Sequence, residues 1–123
     1  MNITVSKENY LKAILHLKTK NGHVRAVDVA AALGVKKTSV SIAFRKLASG
    51  NLIRVHENHE VDLTENGYAI ASKINDSYVT FKQFLCSIGV PEEVAEHDAC
   101  RIEHYLSPES IKGIRGIMTR TAE

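Results

Sequence analysis

The chain has 123 residues, a net charge of +2, and 44% hydrophobic against 24% charged side chains, the balance of a folded chain of one compact unit or two small lobes. It is too short for a barrel enzyme, and no apolar run approaches the ~18 residues of a membrane-spanning helix. Two cysteines cannot frame a disulfide fold, and 6% aromatic residues without Trp supply no stacking platform for single strands.

The first helix is expected from Ser6, a candidate N-cap, to Asn21-Gly22. Tyr10, Leu11, Ile14, Leu15 and Leu17 recur in it at helical spacing. A short second helix covers Ala26 to Leu33, with Val27, Ala30 and Leu33 on one face, and Gly34 suits the left-handed residue beyond its end. A third runs from Lys37 to Ser49, with Val40, Phe44 and Leu47 inward and Gly50-Asn51 closing it. Leu52–His56 and Val61–Leu63, around a polar turn, read as a hairpin. Helix, helix-turn-helix and hairpin in that order predict a winged helix-turn-helix.

Thr64 is placed to cap a long helix starting at Glu65. Tyr68, Ile70, Ala71, Ile74, Tyr78, Phe81, Leu85 and Ile88 carry its apolar pattern to Gly89. Pro91, with Glu92 and Glu93 behind it, opens a helix expected to reach Leu106, and Ser107-Pro108-Glu109 opens a last one ending near Arg120. The fold class is therefore mainly α. A winged helix-turn-helix over residues 1–64 precedes an all-helical lobe over 65–123.

Charge separates along the chain. Residues 1–19 carry +2, residues 20–59 carry +5, and residues 60–123 carry −5. A basic first half fits a polyanion, and an acidic second half fits a cation. In a helix-turn-helix the second helix enters the major groove of double-stranded DNA. Its tip here is Lys36, Lys37, Thr38 and Ser39, followed by Ser41 and Arg45. The cations suit phosphates, and the hydroxyls suit phosphates or base edges. Arg54, with His56 and His59, places further donors on the hairpin. Few of these side chains read a base bidentately, so DNA shape and half-site spacing are expected to share the specificity.

In the fifth helix, Glu96, His97, Cys100, Glu103 and His104 fall within an arc of about 120° at about 100° per residue. The apolar Ala95, Ala99, Ile102 and Leu106 flank that arc. Thiolate, carboxylate and imidazole together suit a borderline divalent transition metal, and a half-buried cysteine on a solvated acidic helix is the plain alternative. No nucleophile–base pair, phosphate loop or catalytic carboxylate pair stands out, so no enzyme is expected. The polar stretch from Met1 to Lys7 holds no signal core, and a cytoplasmic protein is expected.

Taken together, these strings resemble the DtxR/MntR family of metal-dependent bacterial transcriptional regulators. The resemblance covers nearly all of residues 6–120. It is carried by Glu8-Asn9-Tyr10-Leu11, by Val27-Asp28-Val29-Ala30-Ala31-Ala32-Leu33-Gly34-Val35, by Thr38-Ser39-Val40-Ser41, and by Leu63-Thr64-Glu65-Asn66-Gly67. Phe84-Leu85, Ile88-Gly89-Val90 and the most specific string, Cys100-Arg101-Ile102-Glu103-His104-Tyr105-Leu106-Ser107, continue it.

The resemblance implies a homodimeric repressor that binds palindromic operators when loaded with Fe(II) or Mn(II). It implies no small organic ligand. It carries the metal ligands onto Cys100, Glu103 and His104, with the first-helix ligand falling at Asn9. Cys100 resembles the iron-responsive branch. The chain departs from the family where a second carboxylate falls at Lys12, the long-helix His at Tyr78, and an auxiliary ligand at Lys82 or Glu96. Two readings stay open. In one, Asn9, Cys100, Glu103 and His104 form a remodelled site. In the other, metal sensing is lost and DNA binding is constitutive or answers a redox signal at Cys100.

Overall fold

The computed structural model describes residues 4–122; Met1–Ile3 and Glu123, the outermost positions of the two expected domains, lie outside the described residues. The elements run α1 (Val5–Asn21), α2 (Ala26–Leu33), α3 (Lys37–Ser49), β1 (Ile53–Val55), β2 (Val61–Leu63), α4 (Glu65–Ser87), α5 (Glu92–Ile102) and α6 (Pro108–Ala122). They divide into two compact units, residues 1–72 and 73–123, so the division falls inside α4.

In the first unit, α1 starts earlier than its sequence suggests. Thr4, not Ser6, is the N-cap, and its side chain accepts from the Lys7 N–H at 3.2 Å. Gly22 ends the helix at φ 82°, the left-handed conformation that costs glycine least. Leu11 and Ile14 of α1, Val29 of α2, and Val40, Phe44 and Leu47 of α3 meet Leu52, Ile53 and Val61 in one core.

The buried stripe of α2 differs from the expected one. Ala26, Val29, Ala30 and Leu33 face the core, and Val27 is 55% exposed. The spacing i, i+3, i+4, i+7 is kept, but its starting residue is Ala26. Packing against α1 and α3 selects this register instead of the one starting at Val27.

The wing is an antiparallel pair with Ile53 opposite Leu63, Arg54 opposite Asp62 and Val55 opposite Val61. The Val61 N–H donates to the Val24 carbonyl at 2.9 Å, so the segment before α2 lies along the hairpin. The positive φ near the end of α3 falls on Asn51, not on Gly50. Thr64 joins wing to α4: its hydroxyl donates to the Asn51 carbonyl at 2.7 Å and accepts from the Gly67 N–H at 3.1 Å.

In the second unit, Ser77 and Thr80 of α4 are buried with Ile74, Ala95, Ala99 and Ile111. Apolar periodicity passes over both hydroxyls. Thr80 is held by Arg115 of α6, whose Nε donates to its Oγ1 at 3.2 Å. Tyr68, on the stretch of α4 that belongs to the first unit, was expected in the apolar stripe and is exposed instead. Helix α5 stops at Ile102, four residues before the expected end. A turn follows, and Ser107 caps α6 by accepting from the Ser110 N–H at 3.1 Å.

Candidate nucleic-acid interface and metal centre

Helix α3 presents its polar side away from the core because Val40, Phe44 and Leu47 anchor the other side. A groove of about 620 Å³ runs along it. Lys37, Ser41 and Arg45 of α3 line one wall, Arg25 and Val27 lie at the start of α2, and Val55 and His59 come from the wing. Thus three of the α3 residues singled out from the sequence share one groove. Arg25 was missed. It precedes α2, where its own N–H donates to the Asp28 carboxylate at 2.9 Å, and only the packing of α2 on α3 brings it beside Lys37. Lys36 precedes α3 as its N-cap residue, and Thr38 lies exposed in its first turn.

Two other candidates lie elsewhere. Ser39 lines a second groove with Ile42 and Lys46 of α3 and Lys7 of α1. Arg54 lines a third, with Lys18, Asp62 and Tyr68. Neighbouring residues of a strand point to opposite faces, so Val55 on one groove places Arg54 on the other side of the wing. Asp62 is the hub there. Its carboxylate lies 2.7 Å from Lys18 Nζ and 2.6 Å from His56 Nε2. These two hydrogen bonds hold the Asp62 carboxyl below the usual range, against the opposing effect of burial.

In the second unit, Glu103 is 1% exposed and the His104 side chain is likewise covered. Glu103 Oε1 and His104 Nε2 lie 3.3 Å apart. Cys100 is exposed, as are His97 and Glu96. The expected ligand arc is therefore split: Glu103 and His104, just beyond the end of α5, are covered, and Glu96, His97 and Cys100 on the helix are open. Burial pushes the Tyr78 phenol up, Lys82 opposes the shift, and Glu96, Cys100 and Glu103 add to it. Lys82 Nζ lies 3.1 Å from Glu96 and 3.6 Å from Glu92, joining α4 to α5.

Asn9, half-buried on α1, belongs to the first unit. Among the described residues no group of three or more His, Cys, Asp or Glu side chains converges to hold an ion. What the unit does supply is a pair. One carboxylate oxygen and one imidazole nitrogen, covered and adjacent, fit a divalent transition ion by donor chemistry. No helix among the described residues is long and apolar enough to cross a membrane.

Comparison with known proteins matches both units. Residues 2–61 match the family model described as iron dependent repressor, N-terminal DNA binding domain. Residues 64–122 match the one described as iron dependent repressor, metal binding and dimerisation domain. Transcriptional regulator MntR of Escherichia coli O157:H7 is 32% identical over 108 residues, 88% of this chain and 70% of that protein. The HTH-type transcriptional regulator MntR of Bacillus subtilis is 34% identical over 111 residues, 90% of this chain and 78% of that protein. The crystal structure of T. acidophilum IdeR superposes with a TM-score of 0.80 at 26% identity, covering 97% of this chain and 55% of that one. The metal-dependent transcriptional regulator MtsR, with a TM-score of 0.84 at 24% identity, shares the fold over 95% of this chain and 55% of its own. The chain thus spans about half the length of those solved chains. With a DNA-binding domain and a metal-binding and dimerisation domain matched in that order, the chain belongs to the iron-dependent repressor family.

Proposed function

We propose that the chain represses transcription by binding a duplex operator as a homodimer, with Fe(II) or Mn(II) setting its affinity. The observation that carries this reading is the groove that gathers Lys37, Ser41 and Arg45 of α3 with Arg25 and the wing residue His59. Cations there neutralise phosphates, and the tip of α3 meets base edges. Paired recognition helices of a dimer read two half-sites about one helical turn apart. Operator DNA lies in the cytoplasm, and that is where we place the protein. No small organic ligand enters this reading.

The proposed metal ligands are Glu103 and His104, completed by Cys100 of the same unit. The two covered donors are already adjacent, which lowers the cost of assembling the rest. Bound there, an ion would supply charge and coordination, and it would raise duplex affinity only as far as it binds the DNA-competent state better than the others.

The test is calorimetric titration of the chelator-treated chain with Fe(II) under anaerobic conditions, then with Mn(II) and Zn(II). Duplex binding is followed in parallel across a range of salt. One ion per chain, with duplex affinity rising on loading and falling steeply with salt, supports the reading. Duplex affinity unchanged by chelator removes the metal switch. No duplex binding at low salt removes the whole reading.

A further inference from the structure

Ile42 is an apolar, β-branched side chain left 52% exposed on the outward face of α3. At about 100° per residue, Ser41, Arg45, Thr38, Ile42 and Lys46 follow one another around that face. Two grooves flank it, and both are basic. Arg25 and Lys37 stand in one, Lys7 and Lys46 in the other. A helix lying in the major groove has a phosphate strand on either side. The two cationic flanks match the two strands, so Thr38, between the grooves, and Ile42, on the α3 side of the second, face the base edges.

An isoleucine offers no hydrogen bond. Among the bases only thymine presents a methyl group on the major-groove edge. We propose that Ile42 is a specificity-determining residue that packs against a thymine methyl in each operator half-site. Its stiff χ1 keeps the side chain in one rotamer, so little entropy is lost on contact. The inference deepens the DNA-binding reading above and rests on it.

The experiment starts with selection on a random-sequence duplex pool by the full chain, with Mn(II) and with Fe(II). Each thymine of the selected duplex is then replaced singly by deoxyuracil, which lacks only the methyl. One position per half-site is expected to weaken the parent about fourfold, the value of one buried CH₂. Ile42→Ala is expected to bind the two duplexes equally. Ile42→Gln carries the same test should the alanine variant lose its fold, and it is expected to shift preference at that position toward adenine. Tight binding that is indifferent to uracil everywhere, or a uracil penalty kept in both variants, overturns the role of Ile42 and leaves DNA binding standing. A parent that binds no duplex overturns both.

Discussion

Gly67, in the first turn of α4, packs its α-carbon directly against the backbone carbonyl of Leu52, the residue that leads into the wing. A Cβ at position 67 would overlap that oxygen, and backbone cannot swing aside as a long side chain can. Gly67→Ala is therefore expected to destabilise the first unit by about 1–3 kcal/mol or more, the usual cost of overpacking. Urea unfolding checks this, with an unchanged slope and a lower midpoint. Thr64 secures the same corner through its two hydrogen bonds. Thr64→Ala is expected to cost about 1 kcal/mol through the lost cap.

Asp62 ties the wing to α1 through Lys18, and its carboxyl is held below the usual value of 3.8. A carboxyl depressed in the folded state adds stability above its unfolded value and loses it as pH falls through the folded one. Unfolding free energy is thus expected to drop as pH goes from about 5 to below 4. Because the pair is partly exposed, the contribution is at most about 1 kcal/mol. Asp62→Asn should flatten that part of the pH profile and leave the neutral-to-alkaline part parallel to the parent.

Arg25 and Arg45 share the groove along α3, while Arg54 lies on the other face of the wing strand. Arg25→Ala and Arg45→Ala are each expected to lower the slope of log affinity against log salt by about 1, one phosphate contact apiece. Arg54→Ala is expected to change it less. Anisotropy titrations on one duplex at several salt concentrations measure all three.

Glu103 and His104 are covered together, and their replacement separates metal response from fold. Glu103→Gln and His104→Ala are expected to abolish the rise of duplex affinity on adding Mn(II) or Fe(II). Their circular dichroism and their basal, chelator-treated duplex affinity should match the parent. Metal response equal to the parent in both variants would remove this pair as ligands.

Cys100 shows where reasoning from spacing reaches its limit. The helical wheel placed it on one arc with Glu103 and His104. The wheel carries no information on what covers the helix. Neighbouring elements bury Glu103 and leave Cys100 exposed. Arg25 has the same explanation in reverse. Nothing local marks it as part of an interface until α2 packs on α3.

The sequence by itself determined the order and nearly the bounds of the elements, because those depend on local signals. Gly22, Gly34 and Gly89 stop helices, Thr64 and Ser107 start them, and Val40, Phe44 and Leu47 repeat at helical period. It also determined the family, through strings spread over both units. Tertiary structure alone decided that Val29 and not Val27 turns inward, that Arg54 leaves the α3 groove, and that Ser77, Thr80 and Glu103 are buried. Burial is a property of what packs on a residue from distant parts of the chain, and no local pattern encodes it.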